Sequence, residues 1–390
     1  MPIRGSDQVG TPYRYLALVL AAIYLLGLAL VGVSSADEVD LPLETVDGPD
    51  YQIAAAYPFR KAASFPVAEL PFEYLDQIEH FSIHPGAGGA LDVPPGFVMP
   101  ALVEQAHLAG KRVILVVGGA NSYGAFAAMV AKPTDRAAFV GNLVAFVVDQ
   151  GYDGVNIDWE FPRTAADRQN LSALMAELRT ALDGTGQKLS LSIAVSSNEM
   201  RGAGIDAEAI APLVDHFLVM TFGYYGAWGT ESGHHAPLWP QPAASDPRCV
   251  DRSLRYWAES RGVPWSKIYM GIASFGIWFD SEGLHQDFAN TQKADYREIK
   301  PLIGDGYTYH WDIVAQVPYL SRDDGPGLWS YDDPQSVGLK REYALTKGLG
   351  GVAVWDVTMD RVGGEHELLK VLAHSPAPNR AFLPLVRGGK

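Results

Sequence analysis

Eight short apolar or β-branched runs recur along this chain: Gln52 to Tyr57, Ile78 to Ile83, Val113 to Val117, Gly154 to Glu160, Leu189 to Val195, Phe217 to Thr221, Ile268 to Ala273 and Gly351 to Trp355. Helical patterns separate them, and strands that alternate with helices predict a parallel sheet built of βα units. The segment after the fourth run is the clearest helix: Leu171, Leu174, Met175, Leu178 and Leu182 fall on one face, and Gly184 supplies the stop. Eight such units in roughly 320 residues match an α/β chain closed into a TIM (β/α)8 barrel. The interval 277–338 is too long for a βα loop and holds strand-like pieces around Tyr307 to Tyr309 and Val317 to Leu320, which predicts an insertion between strands 7 and 8.

A barrel of this kind presents its chemistry at the C-terminal ends of its strands. The fourth run, Asp153-Gly154-Val155-Asn156-Ile157-Asp158-Trp159-Glu160, ends there on a carboxylate. Successive side chains on a strand point to opposite faces, so Asn156, Asp158 and Glu160 share one face, roughly 6.5–7 Å apart, while Val155, Ile157 and Trp159 share the other. A solvated strand face would show the same alternation. The flanks speak against that: Gly151 and Gly154 break the approach, and Phe161-Pro162 closes the strand with a residue that cannot donate to a sheet. A row of this type suits proton transfer. Like-charge repulsion from Asp158, together with partial burial, is expected to keep Glu160 protonated near neutral pH.

Bulk properties exclude other classes. The 390 residues are 48% hydrophobic and 19% charged, enough for a sizeable core, and the net charge of −15 disfavours nucleic acid, which demands a basic stripe. Cys249 is the single cysteine, so no disulfide forms within the chain. His234-His235 lacks a third ligand at a usual spacing, and no glycine-rich phosphate loop occurs; neither metal nor cofactor is expected. Residues 1–36 are of another kind: Arg4 and Arg14 precede an apolar run from Tyr15 to Val33, and Ser34-Ser35-Ala36 follows. This is an export signal or, at close to the roughly 20 residues that span a bilayer, an uncleaved membrane tether through residues 15–33. Either places the domain outside the cytoplasm. Residues 37–50 are a linker, 51–374 the barrel, and 375–390, with Pro376, Pro378 and Pro384, a loose tail.

The acidic octet resembles the Asp-x-x-Asp-x-Asp-x-Glu signature of glycoside hydrolase family 18, the chitinases and their relatives. The resemblance runs in order from about Gln52 to Trp355: KRVILVVGG at 111–119, FLVMTFGYYG at 217–226, GHHAPL at 233–238, KIYMGIASFG at 267–276, Trp311-Asp312 with AQVPY at 315–319, YDDP at 331–334 and GLGGVAVW at 348–355. It implies that the insertion is a small α+β unit walling one side of the cleft. It also implies a substrate of β-1,4-linked N-acetylglucosamine, chitin or a related oligosaccharide, cleaved with retention. In that family the substrate's own acetamido oxygen attacks the anomeric carbon. Carried over, Glu160 is the acid and then the base, Asp158 holds the acetamido N–H, Asn156 stands beneath them, and Trp355 is the floor under the sugar.

Three departures stand in the same motifs. Asn156 replaces an acid and cannot share a proton as a carboxylic acid would. Met220-Thr221 is followed by Phe222-Gly223 where the family has Tyr-Asp, so the hydroxyl that steadies the acetamido oxygen and the acid beside it are both missing. Tyr224 or Tyr225 is a candidate for the substitute hydroxyl, and Tyr57 and Trp228 are candidates for lining the cleft. A catalytically weak or silent carbohydrate-binding protein on the same barrel is the alternative that these departures favour.

Overall fold

The computed structural model describes residues 51–374, Asp246 excepted. The export or tether segment, the linker at 37–50 and the tail at 375–390 lie outside the described residues. Eight parallel strands pair in chain order: β1 (Gln52–Pro58), β2 (Gln77–Pro85), β3 (Arg112–Gly119), β4 (Gly154–Trp159), β5 (Ser190–Ser196), β6 (His216–Met220), β7 (Ile268–Ala273) and β8 (Gly351–Trp355). Since β1 pairs with both β2 and β8, the sheet has no edge and closes into a barrel.

The two faces of each strand serve different purposes. Ile53, Ala55 and Tyr57 of β1 join the large core shared with the surrounding helices. Ala54 instead meets Tyr269 of β7 and Ala353 of β8 in a small separate cluster against which Leu218 of β6 packs, and this marks the lumen. Trp355 and Met220 lie two residues beyond Ala353 and Leu218, so they continue that inward face to the C-terminal rim.

The helix after β4 runs Ala165–Asp183 and buries Leu171, Leu174, Met175, Leu178 and Leu182. It starts on a capping box, Thr164 accepting from the Asp167 N–H at 3.0 Å. Its end differs from the sequence expectation: Gly184 sits at the C-cap with φ −63°, so the helix stops in a right-handed turn and not through a left-handed glycine. Between β7 and β8, five antiparallel strands form a second sheet in the order Thr291–Asp295, Phe275–Phe279, Leu328–Ser330, Val317–Arg322, Tyr307–Asp312, with the short helix Tyr296–Ile299 beside it. This sheet begins at Phe275, two residues past the end of β7, and so rises directly from the rim where Glu160 sits.

Candidate active site

The C-terminal end of β4 is clamped against β3. Gly118 stands opposite Asp158 in the ladder with φ +113°, and a Cβ there would lie 2.0 Å from the Asp158 carbonyl oxygen. Only glycine permits that approach. Just beyond, the buried Ser122 hydroxyl donates to the Asp158 carbonyl at 3.1 Å and accepts from the Glu160 N–H at 3.0 Å. One hydroxyl thus holds the backbone on both sides of Trp159. Sequence reasoning missed Ser122, because its partners are main-chain atoms and leave no side-chain pattern.

The octet's polar face points into the lumen, with Asn156 and Asp158 buried and Glu160 half-buried at the mouth. Both carboxyls titrate above the usual carboxylate range. Burial is the first cause at Asp158, followed by the charges of Glu160 and of Glu79. At Glu160 burial also comes first, but the cations Arg201 and Lys293 oppose it. Burial is thus the first cause that keeps the Glu160 proton in place, with the acidic Asp158 as its neighbour on the same strand face. Lys293 belongs to the inserted sheet and sits over the Phe275 ring at 5.3 Å, so the insertion contributes a charge to the site.

Glu79 was also missed. It lies on β2, fully buried, and accepts from Gln77 Nε2 at 2.5 Å and from Asn156 Nδ2 at 3.1 Å. The alternation Gln77-Ile78-Glu79 was the available signal, of the same kind as on β4.

A cavity of about 970 Å³ opens beside Glu160, lined by Ala120, Tyr123, Phe161, Arg163 and Arg201 among others. Trp355 is half-buried at the end of β8, with Phe81 edge-on to its ring at 4.6 Å. Met220 and Phe222 are half-buried at the end of β6, and Phe222 meets Phe275 edge-on at 5.8 Å. Trp228 is 59% exposed, its ring 3.6 Å from where a Cβ on Gly223 would stand. Two expectations fail. Tyr57 faces the outer core, fully buried, and its hydroxyl donates to the Phe65 carbonyl at 2.7 Å, so it does not line the cleft. Tyr224 is buried with its hydroxyl on Ser253 Oγ at 2.8 Å, and it cannot replace the hydroxyl absent at Phe222. The reason is local: the chain turns at Gly223 with φ +68°, which aims the next side chain away from the lumen.

Comparison with known proteins matches residues 98–360 to the model of the family described as glycosyl hydrolases family 18. A probable endochitinase of Caenorhabditis elegans is 32% identical over 258 residues, which is 60% of this chain and 41% of that protein. Chitinase A1 of Niallia circulans is 31% identical over 284 residues, 64% of this chain and 41% of that protein. The chain thus spans less than half the length of either relative. Among solved structures, the Group IV chitinase of Ostrinia furnacalis in complex with allosamidin superposes with a TM-score of 0.77 at 24% identity, over 83% of this chain and 98% of that one.

Proposed function

Since this chain belongs to glycosyl hydrolases family 18, we propose that it hydrolyses β-1,4-linked N-acetylglucosamine polymers, chitin or chito-oligosaccharides, by a substrate-assisted retaining route. The observation that carries this reading is the carboxyl pair at the end of β4: Asp158 and Glu160 share the lumen face, both hold their protons above the ordinary carboxylate range, and of the two Glu160 lines the cavity.

In the proposed reaction Glu160 donates its proton to the glycosidic oxygen as the C1–O bond breaks. The acetamido oxygen closes on C1 to give an oxazolinium ion, and Asp158 accepts a hydrogen bond from the acetamido N–H. Water then attacks C1 and returns a proton to Glu160. A pyranose face rests on Trp355, whose ring Phe81 props from the side. Export, through residues 1–36, is part of the same proposal.

Phe222, Gly223 and Asn156 support a second reading, a carbohydrate-binding protein with little or no turnover, because the first two remove a polar group from the reaction centre and the third replaces an acid with an amide. Incubation with chito-oligosaccharides separates the two. The glycosidase reading expects shorter products, released first as the β anomer, and a loss of about 10³-fold or more in Glu160→Gln with binding retained. Tight binding without cleavage by the wild-type protein selects the second reading, and a Glu160→Gln protein as fast as wild type removes Glu160 from the reaction.

A further inference from the structure

We infer that Glu79 supplies from β2 the second carboxyl that β4 lacks, acting through Asn156 as a positioning residue for Asp158. The inference rests on the roles proposed for Asp158 and Glu160 and adds a third member beneath them.

Glu79 is 2% exposed and uses both oxygens, one on the Gln77 amide and one on the Asn156 amide. Donation from Asn156 Nδ2 fixes that side chain's orientation and leaves its Oδ1 turned from Glu79. Asn156 Oδ1 and Asp158 Oδ1 are both buried acceptors with no donor among the described residues. An unmet buried acceptor costs about 1–3 kcal/mol. One proton on Asp158 serves both, since its Oδ1–H then donates to Asn156 Oδ1. The hydrogen bonds run in one direction, from Asp158 to Asn156 to Glu79, and each polarises the next. Above about pH 7, where Glu79 is ionised, its negative charge makes the Asn156 carbonyl a better acceptor and so holds the proton on Asp158. The same charge acts on Asp158 directly through the dry lumen, raising its affinity for a proton.

The groups that bear on Glu79 are few. Arg112 of β3 opposes its burial, Asp158 of β4 repels it, and the Tyr269 hydroxyl of β7 responds to it. His216 of β6 stacks on Tyr269 at 4.1 Å, and burial keeps its ring neutral. The acid missing from position 156 has thus been replaced by one on β2, on the other side of β3, reached through the amide that took its place.

The test is aspartate-selective 13C carboxyl NMR on the full chain, which reads Asp158 without turnover. Glu79→Gln should lower the Asp158 midpoint by about one pH unit or more. Adding Asn156→Asp to that variant should return it to the wild-type value or above; there the new amide at 79 donates to the new carboxylate and still accepts from Gln77, so every pair is kept. With chito-oligosaccharides, kcat should fall roughly tenfold in Glu79→Gln at constant KM and recover in the double variant, and the pH profile should move with the midpoint. An Asp158 midpoint unchanged by Glu79→Gln overturns the inference. If that variant does not fold, Asn156→Asp with and without Glu79→Gln gives the same comparison, and equal midpoints overturn it equally. A protein that binds sugar without cleaving it would end the glycosidase reading and leave this result standing.

Discussion

Replacing Gly118 with alanine asks whether backbone contact between β3 and β4 places the acid pair. At φ +113° a non-glycine residue carries about 1–3 kcal/mol of conformational strain. The new Cβ would meet the Asp158 carbonyl oxygen at 2.0 Å and its carbon at 2.8 Å, and also Phe126 Cε2 at 2.9 Å. Ordinary contact needs at least about 1.4 Å more than the shortest of these. The atom that must yield is a main-chain carbonyl inside the ladder, so β4 has to move away from β3 at Asp158. That movement strains the Ser122–Asp158 hydrogen bond, about 1 kcal/mol more. Together these come to about 2–4 kcal/mol, a fall in melting temperature on the order of 10 °C for a domain of this size. A shift near 1 Å at Asp158 and Glu160 should also lower kcat by about 10². Gly96→Ala is the control: its φ is +78° but no atom lies within 4 Å of the added Cβ, so it keeps the strain and lacks the collision. Melting curves and initial rates on a chito-oligosaccharide measure both effects. A Gly118→Ala protein that matches Gly96→Ala in melting temperature and in kcat refutes the reasoning.

Phe222→Tyr restores the hydroxyl at the end of β6 and should raise kcat by up to about 10²-fold, the usual worth of one preorganised donor; an unchanged rate shows that its absence is not limiting. Burial lifts Glu79 from 4.5 to about 7, so the folded chain keeps a proton that the unfolded chain releases between those values. The contribution of Glu79 to stability is therefore fully present below pH 4.5 and falls by about 3 kcal/mol as pH rises to 7, so urea unfolding of Glu79→Gln should lack that fall; a profile equally steep over this range contradicts the assignment. Lys340 Nζ lies 2.5 and 2.6 Å from the two oxygens of Asp332, both residues fully buried, so Lys340→Met strands a carboxylate. Thermal denaturation should show a loss of about 3–5 kcal/mol, largely recovered by adding Asp332→Asn, and a loss under about 1 kcal/mol would speak against an uncompensated charge.

What the sequence shows and what it hides follows from the geometry of a closed barrel. The eight strands and the row Asn156, Asp158, Glu160 are legible because period-two alternation and flanking glycine and proline are local signals. Which parity faces the lumen is not local, and Tyr57 illustrates the consequence: it shares a face with Ile53 and Ala55, and closure against β2 and β8 turns that face outward. The small residues Ala54, Gly271, Gly351 and Ala353, which leave the lumen its room, carry the missing clue, since the opposite parity on the same strands holds the bulk. Tyr224 fails for a different reason, because it stands past the end of β6 where alternation no longer sets direction. Glu79 sits between the two cases. Its alternation with Gln77 is readable, but its meaning appears only when β2 and β4, which are not paired with one another, flank β3 in the closed barrel and Asn156 reaches the carboxylate. A substitution that disarms the motif when β4 is read alone, Asn156 for an acid, is therefore judged correctly only with β2 in place, since the chemistry of a barrel interior belongs to the layer and not to the strand.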